Sequence, residues 1–523
     1  MPHPYTPLPS ALARAFALCG AAVLAGCAAG PDFQAQSVTA PPDFASWHGG
    51  SDELLATSPR QAAPLAPAGW ALFADPVLAQ LQARALQANA DLRTATLRFA
   101  QSRAMGDATR AGGMPQLGLS AGESRVRASE NGDFSRVIGA INPGAIDEIV
   151  PIIAEPHYLY QAGFDASWEL DLWGRVRRAV EAADADDGAA QALLAQVRLS
   201  VQAEVARRYF EVRSTQQQIA LAREEVALGE ELRELVAAST TRGRGTDTDL
   251  RMQDAQVADA RARLPPLLAQ EAQAVNQLTL LVGERPGALA SLLAAPPAHP
   301  AANAPDLSLG LPSEVALRRP DIQQAQARLH AATARIGVAQ ADLYPRITIG
   351  AQFGFESVDA DTFTDWGSRR WSIGPSLQLP LFDGGRRRAT VALRELQQQE
   401  AAVAWQQTVL KAWHEIDDTL NAYAAERQRN LRLGDMEGAS RDAWELARTR
   451  YAHGLTDLLP ALDAQRTLLQ AQRARTDSTG RLSLDLVAVS KALGVAPAAP
   501  QAIGAAPTAR PGQPAAVVGA AGS

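Results

Sequence analysis

The stretch Tyr451–Arg466 reads YAHGLTDLLPALDAQR, and the fold turns on it. A long run of helix-forming residues enters it and stops at Gly454, a residue suited to the end of a helix. Thr456 is then placed to cap a second helix, with Asp457 at its positive end. Pro460 falls in the first turn of that helix, where a missing N–H costs little. Leu455, Leu459, Leu462 and Leu469 keep a spacing of four and three, with Arg466 in the remaining slot. That is the pattern of a coiled-coil seam. The stretch predicts the tip of a tight helical hairpin.

An earlier copy of the tip runs from Arg242 to Gln256. Gly454 matches Gly245, and Asp463-Ala464-Gln465 matches Asp254-Ala255-Gln256, both at an offset of 209. Gly385-Arg386 and Glu415 match Gly174-Arg175 and Glu204 at 211, and Leu493-Gly494 matches Val282-Gly283 at the same offset. Asp321, Arg328 and Pro345 match Asp91, Arg98 and Pro115 at 230. The order of these matches makes the chain a tandem repeat of one large unit, too long for a solenoid. The reading divides it into a signal segment (1–26), a strap (27–69), a first repeat (70–283), a linker (284–312), a second repeat (313–494) and a tail (495–523). The tail is Ala, Pro, Gly and Gln with little else, a composition that cannot offset the entropy of folding.

Each repeat carries two strand-like runs. Tyr158, Tyr160, Phe164, Trp168 and Leu170 share one parity, with Gln161, Gly163, Asp165 and Glu169 between them. Pro115–Ser124 alternates more loosely, and Arg346–Phe355 with Trp371–Leu381 repeats the pair in the second half. Two hairpins with polar loops match a transmembrane barrel with interfacial aromatics. A soluble β-subdomain is the alternative, but the flanking helices offer it no second layer. Four strands cannot close a barrel, and an open edge in lipid leaves backbone groups unsatisfied. Several chains must share one barrel: two would give eight strands, three would give twelve and room for a lumen.

Between strands and tips lie two long helices, from Arg175 to about Thr241 and from Arg386 to His453. Val409, Trp413, Ile416, Leu420 and Tyr423 hold a seam of period 3.5 in the second, a stripe that must pack on a repeat mate. Gly434 and Gly438 are candidate interruptions of it. Pro265-Pro266 should kink or break the return helix of the first half. A first helix opens at Trp70 and runs to about residue 110.

Composition narrows the function. A net charge of −7 argues against a general nucleic-acid binder. There are only two cysteines, Cys19 and Cys27, which gives neither a disulfide framework nor a metal cluster. No phosphate-binding glycine loop, paired metal-ligand histidines or nucleophile elbow occurs, so no enzymatic role, cofactor or metal is expected. Glu415 beside Asp417-Asp418 could form an acid–base cluster, but solvated charge on a helix face is the simpler reading. At the N-terminus Arg14 precedes an apolar run from Ala15 to Leu24, and Leu24-Ala25-Gly26-Cys27 follows. This resembles a bacterial lipobox with Cys27 as the lipidated residue, ordinary signal cleavage being the alternative.

With Gly30-Pro31-Asp32-Phe33 and the repeated tips, the lipobox resembles the lipoprotein branch of TolC-type outer-membrane factors, over roughly residues 24 to 495. The resemblance implies a mainly α protein with a transmembrane β part. Three chains would form a 12-stranded barrel continuous with a helical barrel. It implies an outer-membrane channel of a tripartite efflux system of the resistance-nodulation-division class, a passive duct for drugs or other toxic compounds. The partners it implies are two further copies, outer-membrane lipid, a periplasmic adaptor and an inner-membrane pump. Ala28 after the cysteine, rather than an acid, suits the outer membrane. Asp463 and Arg466 match the positions that constrict the periplasmic aperture, with Asp254 as the repeat equivalent of Asp463. The tips at Gly245, Thr246, Gly454, Leu455 and Thr456 are the expected adaptor-docking points. A lipid-anchored coiled-coil scaffold without a pore is the alternative.

Overall fold

The computed structural model describes residues 28–294 and 312–494, except 38, 45, 52, 55–68, 143, 145 and 244. Cys27 with the segment before it, most of the linker and the tail lie outside the described residues. In order, the elements are α1 (Pro76–Ala88), α2 (Ala90–Ala111), β1 (Gln116–Val126), α3 (Asp133–Ile141), α4 (Ile146–Ala154), β2 (His157–Leu170), α5 (Arg175–Thr241) and α6 (Asp247–Leu281). The second half continues with α7 (Ala290–Ala294), α8 (Pro312–Arg318), α9 (Pro320–Ala341), β3 (Arg346–Ser357), β4 (Arg369–Gln378), α10 (Arg386–Ala452) and α11 (Leu458–Ala492). Two compact units result, one bearing the strands (1–37, 94–194, 321–410) and one bearing the tips (38–93, 195–320, 411–523).

In the strand-bearing unit the four strands make one antiparallel sheet in the order β1-β2-β3-β4. Its register sorts the side chains into two faces, because residues directly opposite one another point the same way. Leu119, Phe164, Phe353 and Trp371 form one rung of the apolar face, and Leu117, Ala166, Ala351 and Ile373 the next. Gly118, Asp165, Gln352 and Ser372 form a rung of the opposite face, which is polar throughout its middle. The apolar rungs are bare: Trp371 is 69% and Ile373 70% exposed. Gly163 and Gly354 face each other across β2 and β3. A Cβ on Gly354 would lie 2.4 Å from the Ala162 carbonyl oxygen, so only glycine allows this approach. Among the described residues no helix is long and apolar enough to cross a membrane.

Two details depart from the sequence reading. The β1–β2 connection is not a plain polar loop but carries α3 and α4, built on apolar residues such as Val137, Ile141 and Ile152. The last strand begins at Arg369 and ends at Gln378 rather than running to Leu381. Pro380 lies just beyond it and has no N–H to give a ladder.

The strap docks on this unit through residues 29–33. Ala29 donates its N–H to the Trp173 carbonyl at 2.9 Å. Gly30 has φ 91° and lies so close to Gly337 that a Cβ would come within 2.4 Å of its Cα. The Arg178 guanidinium donates to the carbonyls of Ala29 and Gly30 and to Asp32, the last at 2.6 Å. Phe33 stacks on His330 with ring centroids 4.3 Å apart.

In the tip-bearing unit, Asp75 caps α1 by accepting from Val77 and Leu78 N–H, and its other oxygen accepts the Tyr209 hydroxyl at 2.6 Å. Burial first, and the Asp75 carboxylate second, push the Tyr209 phenol up to about 12. The expected single helix from residue 70 to 110 is broken at Asn89, whose Oδ1 accepts from the N–H groups of Asp91 and Leu92 and restarts the chain as α2. Pro265-Pro266 does not break α6. Arg261 and Ala262, whose carbonyls lose their intrahelical donors, lie on an exposed face where water can bond them. Gly434 and Gly438 do not interrupt α10 either; each weakens a helix by about 1 kcal/mol relative to Ala, too little to break one that is packed along its length.

The expected seam appears in the core as Ile416, Leu420 and Tyr423, packed with Phe44, Val315, Leu482 and Leu486. Asp485 precedes Leu486 on α11 and is half-buried. Burial first, and the charge of Glu426 second, push its carboxyl up to about 6. Because the folded pKa lies above the unfolded one, the resulting stabilisation is complete below the unfolded value and is lost as pH rises through about 6. Asp485→Asn should therefore melt higher than the parent at pH 7.5, by about 1 kcal/mol after allowance for solvent screening. The two melting temperatures should converge near pH 4, and a constant difference across that range would refute the assignment.

Candidate functional site: the two hairpin tips

Both tips belong to the tip-bearing unit. The ascending helices α5 and α10 are each 67 residues long, and the returning helices α6 and α11 each 35. Every boundary of the second hairpin thus lies 211 positions after its mate, 175 to 386 and 247 to 458 alike. The offset of 209 expected at the tips is corrected by this geometry. Gly454 (φ 72°) corresponds to Gly243 (φ 69°), not to Gly245, and both close the last turn by donating to the residue three positions earlier. Asp463 corresponds to Met252, and Asp254 to Gln465. Matching by residue identity had aligned two short Asp-Ala-Gln runs that lie at different depths in the hairpins.

The two tips are closed by different chemistry. In the first, Thr246 caps α6 in a reciprocal box: its Oγ1 accepts from Asp249 N–H, and Asp249 accepts from the Thr246 N–H at 3.0 Å. Gly245 is required for space, since a Cβ there would meet Thr240 Oγ1 at 2.9 Å. In the second tip, Leu455 N–H reaches back to the Arg450 carbonyl at 2.9 Å, completing a Schellman closure about Gly454. Thr456 is not the cap. Asp457 holds that position without a side-chain hydrogen bond, and Thr456 Oγ1 is buried without a partner.

The seam of α11 also differs from the expected one. Leu458, Ala461, Gln465 and Leu468 are buried, with Leu462, against Leu232, Val236 and Trp444. Leu455 and Leu459 are 71% and 61% exposed instead. On the same outward stripe as Leu459 stand Asp463 and Arg466, both exposed, and among the described residues neither forms an ion pair. Asp254 is in a different situation. It accepts from Arg233 Nε at 2.6 Å, with Arg251 3.4 Å away, so its charge is neutralised within its own hairpin.

The acids considered as a catalytic cluster serve packing. Glu415 pairs with Arg319 at 2.6 Å, and Asp417 accepts from Gly49 N–H at 2.9 Å, fastening the strap. The second tip thus offers a stripe of unpaired charge and bare leucine suited to meeting other chains.

The family described as outer membrane efflux protein matches residues 81–284 and 311–495. The chain belongs to that family. It is 32% identical over 482 residues to the outer membrane protein OprJ of Pseudomonas aeruginosa, covering 91% of this chain and 95% of that protein. It is 31% identical over 455 residues to the antibiotic efflux pump outer membrane protein ArpC of Pseudomonas putida, covering 86% and 89%. The solved outer-membrane channel OprN superposes with a TM-score of 0.77 at 30% identity, over 90% of this chain and 99% of that one. The protein is therefore an outer-membrane efflux protein of the TolC type, mainly helical with a four-stranded antiparallel sheet.

The contrast in capping makes a direct test. Thr246→Ala should cost about 1 kcal/mol and speed amide hydrogen exchange in the first turn of α6. Thr456→Val, which removes a buried hydroxyl that bonds nothing, should leave exchange at the second tip unchanged or slower. Equal effects at the two tips would contradict the assignment of the caps.

Proposed function

We propose that three copies of this chain close one barrel and form a passive export duct. The observation that carries the reading is the two-faced sheet with its two open edges. β1 pairs only with β2 and β4 only with β3. In a bilayer those edges need partners, and the apolar face needs lipid. Three copies supply twelve strands, the smallest multiple of four that leaves a usable lumen lined by the polar face. The helical part reaches into the periplasm, where the tips meet an adaptor that couples the duct to an inner-membrane pump. Relatives named for antibiotic and for toluene efflux favour antibiotics and other small toxic compounds as cargo.

In mild detergent the purified protein should have the mass of a trimer, and it should conduct in a planar bilayer. A monomer with full helical content and no conductance would favour the pore-free scaffold.

The aperture reading rests on Asp463 and Arg466. Three copies of each would face one axis, and rings of charge select and gate in pores. Asp463→Ala should weaken cation selectivity, and Arg466→Ala should raise conductance. Asp254→Ala is the control, because its carboxylate is already paired: it should leave both unchanged. If the first two variants conduct as the parent does, the constriction lies elsewhere. Leu455 and Leu459 are the docking contacts, so Leu459→Glu should reduce adaptor cross-linking while the trimer persists; undiminished cross-linking would exclude them.

Cys27 is the lipid attachment site in this reading, supported by the strap's docking two residues later. Metabolic labelling with palmitate should vanish in Cys27→Ser. A variant still labelled would rule the lipobox out.

A further inference from the structure

The strand-bearing unit contains a cavity of about 370 Å3 that neither the sheet nor the strap uses. Helices α2, α5, α9 and α10 all contribute to its wall. The space exists because the facing side chains are small: Gly106 on α2, Ala179, Ala182 and Ala183 on α5, and Ala339 on α9. A Cβ built on Gly106 would meet nothing nearer than the Arg110 guanidinium at 3.6 Å, so the volume beside it is unfilled. Met105 and Val338 extend the apolar wall, and a methionine adapts to ligands of different outline. A volume of this order is typical of small-molecule sites, which combine an apolar lining with a few placed polar groups.

The polar groups are unequal. Arg335 hydrogen-bonds Asp186, so that pair is neutral. Burial pushes the Asp186 carboxyl up despite Arg335 and Arg328, although the side chain keeps 42% of its exposure. Asp342 has Arg346 3.5 Å away. Arg394 hydrogen-bonds only the neutral amide of Gln397, at 2.8 Å, and among the described residues no carboxylate pairs with it. Arg346, paired in register with Gln378, belongs to the polar face of the sheet, and through Asp342 that face runs on to the cavity wall.

We propose that this cavity is a binding station for organic anions with a compact apolar body, such as aromatic carboxylates or sulfonates. The body rests on the floor between Gly106 and Ala183, and the anionic head pairs with the planar guanidinium of Arg394. Its position beside the export path rests on the duct reading; its existence as a site does not. In a conducting duct such a station must hold weakly enough to release.

The test uses the full-length protein in detergent, with naphthalene-2-sulfonate as probe and the uncharged alcohol and the ammonium analogue of the same ring for comparison. Calorimetry should show saturable binding of the sulfonate in preference to both analogues. Gly106→Leu, which fills the space and improves helix propensity, should abolish it. Arg394→Gln should weaken it roughly tenfold, the loss of one charge-assisted bond, and erase the preference over the alcohol. Only non-saturable partition into micelles, or sulfonate binding that survives both substitutions, would overturn the proposal. Both variants must keep the parent's circular dichroism; should Gly106→Leu fail to, Arg394→Gln alone decides. Bilayer conductance on the same preparation separates the two readings: intact conductance without saturable binding refutes the station alone, and saturable binding without conductance refutes the duct alone.

Discussion

A strand edge in hydrocarbon has no water to bond its free N–H and C=O groups, and each unsatisfied group costs several kcal/mol. This chain brings four strands to the membrane and pairs their inner edges only. The consequences extend beyond the sheet. The strands are laid out so that both outer edges remain available, each half of the chain contributing one hairpin. The alternation of side chains must then hold in phase through all four strands. It does, from Leu119 through Phe164 and Phe353 to Trp371. A slip of one residue in any strand would put its apolar set on the polar face. The Gly163–Gly354 contact, which excludes any side chain, is one feature that pins β2 against β3.

Duplication supplied the geometry and divergence the chemistry. The two hairpins have equal helix lengths and the same left-handed glycine at the turn. In the first, the groups near the turn satisfy one another through Thr246, Asp249, Asp254 and Arg233. In the second, the cap makes no side-chain bond, and Leu455, Leu459, Asp463 and Arg466 remain open to solvent. A tip that satisfies itself can serve as a fixed post. One that does not leaves groups free to meet other chains, which is the physical basis for proposing docking and aperture there.

Much of this was legible in the sequence, and the misreadings have identifiable causes. Period 2 in Tyr158–Leu170 and period 3.5 in Ile416–Tyr423 each impose one kind of element, so strands and long helices could be read directly. The tip alignment failed because residue identity was followed where backbone conformation decides: Gly243 carries the positive φ, while the more conspicuous Gly245 does not. The α11 seam was read only in part: Leu462 is buried as expected, but the stripe continues through Leu458, Ala461, Gln465 and Leu468, while Leu455 and Leu459 are exposed. Which stripe is inside depends on the surface of the partner helix, a property no local pattern contains. Thr456 looked like a cap because threonine is a good one, yet the chain turns one residue later. Pro265-Pro266 signals a break only where the freed carbonyls have no access to water.

The polar face bears on how a duct can pass unrelated compounds. Its rungs combine small Gly, Ser and Thr residues, as in Ser120 beside Gly163, Ser167 beside Gly350, Gly350 beside Gly374 and Thr348 beside Ser376, with charged ones, Asp165, Glu169, Glu356, Arg346 and Arg370. Thr348 and Ser376 bond each other at 2.6 Å, which leaves little unsatisfied hydrogen-bonding capacity in that rung for a solute. Aromatic side chains, which would hold a flat solute by stacking, are confined by the register to the opposite face along the rungs that carry them. The small neutral groups along much of this face leave room for a passing solute, and the charges of Glu356 with Arg370 and of Glu169 with Arg346 are paired within it. Selectivity in such a molecule has to reside where charge is left without an internal partner. By that criterion Asp165 on the polar face, for which the described residues offer no ion pair, stands beside the unpaired groups at the second tip and at Arg394 as a place to look.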